Sequence, residues 1–131
     1  MALHPDALVI RGGKVRDVET LREKVDEAIE DGDGAVVSVY CDLNRTDTDE
    51  MTLAELCAAS EIKHSKVQVT TVARLQAAGF EPILDTSDGQ LFTHHHVALE
   101  EPVQESTLRA FIDCFDEPIA NPAGGKRKLS R

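Results

Sequence analysis

The sequence predicts an α+β fold: one domain with a mixed sheet of about five strands and about four helices. Segments with strand and helix periodicity alternate along the chain, and a Ser-Asp-Gly turn signal near the C-terminus joins two strand segments into a hairpin. The length of 131 residues corresponds to one domain, and 41% hydrophobic with 29% charged residues is a globular composition. We expect the globular domain to cover residues 1–117 and a flexible basic tail to cover residues 118–131.

The first half of the domain begins with a strand, a helix and a second strand. Residues 7–10 form a short apolar run that two glycines end. Asp17 is the predicted N-cap of a helix in which apolar residues recur every three or four positions, and Gly32 ends that helix. Residues 35–41 are apolar almost throughout, which favours a central strand covered on both faces.

Two further helices flank a third strand. Thr52 and Glu55 match a capping box, which predicts a short second helix. Residues 66–70 alternate between polar and apolar side chains, as in a strand with one solvated face. Thr70 or Thr71 then caps a third helix, which a Gly-Phe pair closes.

The C-terminal part of the domain is predicted to be a β-hairpin and a closing helix. Residues 83–86 and 91–99 are the two strand segments. The closing helix starts near Ser106 and carries apolar residues on one face. Pro118 marks the start of the predicted tail.

The composition also restricts the cellular setting. No apolar run approaches the roughly 18 residues of a membrane span, and acidic residues within the first 20 positions argue against a secretory signal. The three cysteines are widely spaced and odd in number, which predicts free thiols in a reducing, cytoplasmic environment: Cys41, Cys57 and Cys114.

The charge distribution predicts a basic protein partner. The formal net charge is −10, and residues 1–117 hold 10 basic and 24 acidic residues. Such a domain repels nucleic acid, so direct nucleic-acid binding is expected only through the four bases of the tail, Lys126, Arg127, Lys128 and Arg131. Acidic side chains instead accelerate association with a basic protein.

We therefore expect a small accessory or neutralising subunit that binds a larger basic protein without catalysis. The predicted contact surface combines an acidic loop and the acidic face of the first helix: Asp42, Asp47, Asp49, Glu50, Glu23, Asp26 and Glu30. The sequence contains no nucleotide-binding Gly-x-Gly-x-x-Gly motif and no Gly-x-Ser-x-Gly elbow. Formation of a homodimer is an alternative that the sequence leaves open.

The run His94-His95-His96 is the main candidate for chemistry. Side chains alternate along a strand, so His94 and His96 share one face and His95 points to the other. One of the pair is a candidate general base. The pair is also a candidate zinc site if a third ligand joins it, the choices being His64, Asp42, Asp85 and Cys41. No cofactor is otherwise predicted.

Two other short segments are candidates for anion binding. Lys63-His64-Ser65-Lys66 places a histidine between two lysines, and His64 is a further candidate catalytic residue. Arg11-Gly12-Gly13 follows the first strand, and its glycines allow backbone amides to approach a phosphate. An ordinary surface loop and an ordinary turn are the alternative interpretations.

Residues 72–112 resemble the HicA toxins, which are small mRNA-cleaving domains with a double-stranded-RNA-binding fold. The resemblance lies in the helix that ends in Gly-Phe, in the histidine-bearing hairpin, and in the Thr-Leu-Arg start of the closing helix. It implies a small hydrolase or ribonuclease-like enzyme with its catalytic histidine on the hairpin of residues 83–99. The Gly-Ser-His motif of the family is not matched, so His94 or His96 takes the histidine's role from a shifted position.

Overall fold

The computed structural model describes residues 3–43, 45–86 and 90–123, which form six strands and four helices. Their order is β1 (Leu8–Gly12), α1 (Val18–Glu30), β2 (Val36–Cys41), α2 (Leu53–Ala59), β3 (Lys66–Thr71), α3 (Val72–Ala77), β4 (Pro82–Leu84), β5 (His94–Ala98), α4 (Glu105–Asp113) and β6 (Ile119–Ala120). The predicted α+β fold, its four helices and its closing helix are confirmed, and one strand is added.

The helix boundaries follow local capping interactions. The Asp17 side chain accepts a hydrogen bond from the Thr20 amide at the start of α1. At α2 the capping box of Thr52 and Glu55 is complete, with both reciprocal hydrogen bonds present. Thr71 caps α3. Each cap accepts hydrogen bonds from amides that have no partner within the helix.

The strand order is β4-β5-β2-β1-β3-β6, and every pairing between neighbours is antiparallel. The prediction of a mixed sheet is therefore wrong. Alternating strands and helices are typical of parallel crossovers, but here β2 follows α1 and runs antiparallel beside β1. The residues that join β4 to β5 include positions 87–89, which lie outside the described residues.

The two faces of the sheet bury different clusters. Helices α1, α3 and α4 cover one face, which we call the covered face; its core includes Val9, Leu21, Val39, Leu75 and Phe111. On the opposite face, α2 packs over β1 and β3, and the cluster there contains Ile10, Leu56, Cys57, Ile62 and Val67.

The chain after Phe115 is more ordered than the sequence predicts. Ile119 and Ala120 pair with Val67 and Lys66 of β3 as a sixth strand. Asn121 is buried, and its side-chain amide donates to the carbonyl oxygens of Ile62 and His64. The sheet therefore extends past the predicted domain boundary at residue 117, because Ile119 and Ala120 form its sixth strand. The basic tail residues Lys126, Arg127, Lys128 and Arg131 lie outside the described residues.

The three cysteines are free and buried, as expected for thiols that pack as small apolar side chains. Burial raises the pKa of each thiol, and for Cys41 the charge of Asp42 raises it further. Within the described ranges, no helix combines the length and the apolar content needed to cross a bilayer.

Candidate functional site

Strand β5 divides its three histidines between the two faces of the sheet. In the register with β2, His94 lies opposite Tyr40 and His96 lies opposite Ser38, whereas His95 is paired with Val39 of the covered face. The predicted alternation is confirmed. We call the surface formed by Ser38, Tyr40, His94 and His96 the histidine face.

The hydrogen bonds of His94 determine which ring nitrogen carries the proton. Its Nδ1 lies 2.8 Å from the carbonyl oxygen of Asp85, and its Nε2 lies 3.1 Å from Ser38 Oγ. A carbonyl oxygen only accepts, so Nδ1 is the donor in the neutral ring. Nε2 is then the acceptor, and the Ser38 hydroxyl donates to it. This is the arrangement of a general base that is hydrogen-bonded to a nucleophile.

The carboxylate of Asp85 lies between the two histidines of this face. Its Oδ2 is 3.7 Å from Nδ1 of His94 and 3.5 Å from Nδ1 of His96. The carboxylate is therefore within ion-pairing distance of both rings. The Tyr40 ring also meets the His94 ring edge-on, with centroids 5.4 Å apart, so His94 is held from two sides.

Exposure differs along the chain of contacts from Asp85 to Ser38. His94 is only 5% exposed, whereas Ser38 is exposed to solvent. His96 is partly exposed at 29% of its side chain. A ligand can therefore reach the hydroxyl of Ser38 while the ring that contacts it stays in a fixed orientation.

His95 takes no part in this arrangement. It is buried in the covered face, where its Nδ1 donates to the Thr93 carbonyl oxygen at 2.8 Å and its Nε2 has no partner. Burial lowers the pKa of His95, and the neighbouring His94 and His96 lower it further, against a raising effect of the Thr93 hydrogen bond. The ring is therefore kept neutral.

A cleft opens beside Ser38 because β1 and β2 separate. The two strands pair only through Val9 with Cys41 and Ile10 with Tyr40. Beyond these pairs β1 continues along β3, and β2 continues along β5. The gap has a volume of about 590 Å³ and is lined by Arg11, Gly12, Gly13, Lys14, Val15, Thr20, Lys24, Glu27, Ala28, Asp33, Val36, Val37, Ser38, Tyr40 and His64. Ser38 and Tyr40 belong both to this cleft and to the histidine face.

The predicted acidic contact surface is only partly exposed. Asp42 is 2% exposed, and its Oδ2 accepts a hydrogen bond from the Met51 amide, so the prediction that it contacts a partner is wrong. The other predicted acidic residues are exposed: Asp47, Asp49, Glu50, Glu23, Asp26 and Glu30. In the loop, Asp47 pairs with His4 and Glu50 pairs with Arg45.

The predicted zinc ligands do not converge. Asp85 lies beside the histidine pair, but Nδ1 of His94 is directed at the Asp85 carbonyl oxygen. Cys41 is buried, and His64 packs against Gly12 and Gly13 at the end of β1. No three histidine, cysteine or acidic side chains in the described part of the chain are arranged to hold a metal ion. Zinc binding stays a prediction.

Nothing in the sequence indicates that Ser38 and Tyr40 belong to this site. Ser38 and Tyr40 occur in an apolar strand, and only the register of β2 with β5 places them beside the histidines. Asp85 could be proposed from the sequence as a zinc ligand, whereas in the structure its carbonyl oxygen accepts a hydrogen bond from the His94 ring.

Neither protein-family models nor curated proteins nor solved structures gave a match to this chain. The resemblance to the HicA toxins therefore stays a prediction, and the site is interpreted from its own geometry.

Proposed function

We propose that the protein is a small hydrolase in which Ser38 is the nucleophile and His94 is the general base. One observation carries this proposal: the 3.1 Å contact between Ser38 Oγ and the unprotonated Nε2 of a histidine whose other nitrogen donates to Asp85. General bases act on protons within hydrogen-bond reach, and a fixed tautomer keeps Nε2 available.

The proposed reaction is the hydrolysis of an ester. Ser38 Oγ forms a bond to the carbonyl carbon while its proton moves to His94 Nε2. The bond to the leaving alkoxide then breaks, and His94 returns the proton to that alkoxide. Water hydrolyses the acyl-serine by the same proton transfers, which regenerates the Ser38 hydroxyl and releases a carboxylic acid.

Asp85 and His96 support this cycle. When His94 accepts the proton, its ring becomes positively charged, and its Nδ1 lies 3.7 Å from Oδ2 of Asp85. The carboxylate stabilises that charge, as the third member of a catalytic triad does. His96 lies 3.5 Å from the same carboxylate and directly opposite Ser38, where it can contact a bound substrate.

Covalent labelling tests the proposal without knowledge of the substrate. A fluorophosphonate probe reacts with an activated serine by forming an Oγ–P bond and releasing fluoride, while the proton passes to the base. We expect labelling at Ser38, identified by mass spectrometry of the intact chain and its peptides. Ser38→Ala removes the labelled site. His94→Gln slows labelling about 100-fold, the lower range of general-base catalysis.

The control is Ser106→Ala, which removes an exposed serine hydroxyl far along the sequence from the histidine face. This variant should label at the wild-type rate. Absence of labelling at Ser38 in the folded wild-type protein, or equal labelling of the His94→Gln variant, contradicts the proposal.

We propose, as a second candidate function, that the exposed acidic face of α1 binds a basic protein. Glu23, Asp26 and Glu30 are exposed, and none of the three forms an ion pair within the described residues. Affinity capture from cell extract should then recover a basic protein at low salt, with less recovered at high salt. A combined Glu23→Gln, Asp26→Asn and Glu30→Gln variant should lose it; recovery unchanged by salt or by this variant contradicts this function.

A further inference from the structure

Two segments that are far apart in the sequence meet at the cleft between β1 and β2. The His64 ring lies directly against the backbone of Gly12, so that a Cβ at position 12 would overlap its Nδ1. A Cβ at Gly13 would lie 3.5 Å from Cδ2 of the same ring. Glycine is therefore required at position 12 for His64 to occupy this place, and Gly13 also has a positive φ of 105°.

Backbone hydrogen bonds hold His64 beside this turn. The Gly13 amide donates to the Lys66 carbonyl oxygen at 2.8 Å, which closes the turn against β3. The buried Asn121 donates to the His64 carbonyl oxygen at 2.9 Å. The position of His64 therefore depends on β6 as well as on β1.

The cleft concentrates cations in an acidic protein. Arg11, Lys14 and Lys24 line it, against Glu27 and Asp33, whereas the whole chain has 14 basic and 24 acidic residues. Three other arginines of the domain form ion pairs with carboxylates, namely Arg16, Arg45 and Arg74. Within the described residues, the three cations of the cleft form none.

Arg11 is the most unusual of these cations. It is 6% exposed, and one guanidinium nitrogen, Nη1, has no hydrogen-bond partner in the described structure. The guanidinium carbon lies 5.6 Å from the ring centre of Phe111 and 5.9 Å from that of Phe115. The rings offer partial compensation for a buried charge, but no carboxylate neutralises it. An anion in the cleft would supply the missing opposite charge.

We propose that the cleft binds the anionic group, a phosphate or a carboxylate, of the ester that Ser38 attacks. This inference rests on the proposed hydrolase function and adds the substrate class to it. Lys14, Lys24 and His64 offer donors to the anionic oxygens, and Ser38 lies on the same cleft wall as Tyr40. The volume of about 590 Å³ lies within the range of small-molecule sites.

Titration with simple anions tests the inference independently of turnover. Sodium phosphate and sodium acetate are added separately to the ¹⁵N-labelled full chain at constant ionic strength, and amide shifts are followed by NMR. We expect saturable shifts at Gly12, Gly13 and Lys14 with at least one of the two anions. The anion that binds more tightly identifies the substrate's charged group.

Three variants locate the binding. Combined Lys14→Gln and Lys24→Gln should weaken the binding about tenfold or more, since each charged hydrogen bond contributes about 1.5–3 kcal/mol. Gly12→Ala should also weaken it by displacing His64. Arg109→Gln removes one positive charge from the exposed side of α4, outside the cleft lining, and should leave the affinity unchanged.

The outcomes separate this inference from the proposed function. If Ser38 is labelled but neither anion gives saturable shifts, the anion site is overturned and the hydrolase proposal stands. The same conclusion follows if Ser38 is labelled and the shifts persist in the double lysine variant. Saturable shifts that the lysine variant abolishes, without labelling of Ser38, support the anion site and overturn its link to hydrolysis.

Discussion

Arg11 illustrates how a single buried charge can cost stability. Burial lowers the pKa of its guanidinium from the ordinary value to about 10. This difference corresponds to roughly 3 kcal/mol of destabilisation of the charged form. Contacts with two phenylalanine rings offset about 1–2 kcal/mol of this destabilisation. A charge that is kept at such a cost is consistent with a role in ligand binding.

We predict that Arg11→Met stabilises the fold. Methionine fills the same apolar surroundings without a charge, so the free energy of unfolding should rise by about 1 kcal/mol. Urea unfolding followed by circular dichroism measures the change. Arg11→Lys, which keeps the charge and loses the planar contact with the rings, is the control and should be no more stable than the wild type. A destabilised methionine variant would show that the charge has an additional partner.

His95 makes the fold sensitive to mild acid. Burial lowers the pKa of His95 in the folded state below the ordinary value of 6.5, and the unfolded chain keeps that value. The unfolded state therefore binds more protons as the pH falls below about 6.5, and stability decreases until the folded-state pKa is reached. Above pH 6.5 both states are neutral at this residue, and its contribution is constant.

We predict that His95→Asn reduces this pH dependence. The asparagine amide can donate to the Thr93 carbonyl oxygen as Nδ1 does, but it does not titrate. Melting temperatures measured between pH 8 and pH 5 should fall more steeply for the wild type than for the variant. Parallel curves for the two proteins would assign the acid sensitivity to other groups.

At the scale of elements, β6 shows that a very short strand can be structurally important. It has two residues, and prolines, which are poor strand formers, lie directly before it at position 118 and two residues after it at position 122. Its contribution to stability comes from the pairing with β3 and from the buried Asn121, whose side-chain amide donates to two carbonyl oxygens. These contacts also hold the loop that carries His64.

We predict that a chain ending at residue 117 is less stable than a chain ending at residue 123. The shorter chain loses the β6 pairing and leaves the carbonyl oxygens of Ile62 and His64 without the Asn121 donor, at a cost of about 1–3 kcal/mol for the buried group alone. Thermal unfolding of the two truncated chains measures the difference. Asn121→Ala in the longer chain should reproduce most of it. Equal melting temperatures would mean that β6 contributes nothing to stability.

At the scale of the whole molecule, the excess of acidic residues destabilises the compact state through repulsion. Residues 1–117 carry 24 acidic and 10 basic side chains, and several exposed acids lie together on α1. Repulsion of this kind is distributed over the surface, and salt screens it beyond about 10 Å at 0.1 M. If the acidic face of α1 binds a basic partner, raising the salt concentration should therefore increase the stability of the fold and weaken that binding.

We predict that raising sodium chloride from 10 to 150 mM increases the melting temperature. The combined Glu23→Gln, Asp26→Asn and Glu30→Gln variant should show a smaller increase, because part of the repulsion has been removed. Differential scanning calorimetry of both proteins at the two salt concentrations checks this. A melting temperature that falls with salt would indicate that favourable ion pairs, such as Arg74 with Asp116, outweigh the repulsion.

Features that depend on near neighbours could be predicted from the amino-acid sequence. The caps at Asp17 and Thr52, and the opposite directions of His94 and His95, follow from interactions within a few residues. The direction of strands, by contrast, was predicted incorrectly. Periodicity shows that β1 and β2 are strands, but it does not show which edges pair.

The candidate site, by contrast, became visible only once the strands were paired in the fold. Ser38 and His94 are 56 positions apart, and their contact depends on the register of β2 with β5. The cleft exists because β1 pairs with β2 at one end and with β3 along its whole length, and His64 reaches Gly12 only across that pairing. Such contacts arise from long-range strand pairing. No local pattern in the chain specifies this pairing, because each strand can satisfy its hydrogen bonds with several alternative neighbours.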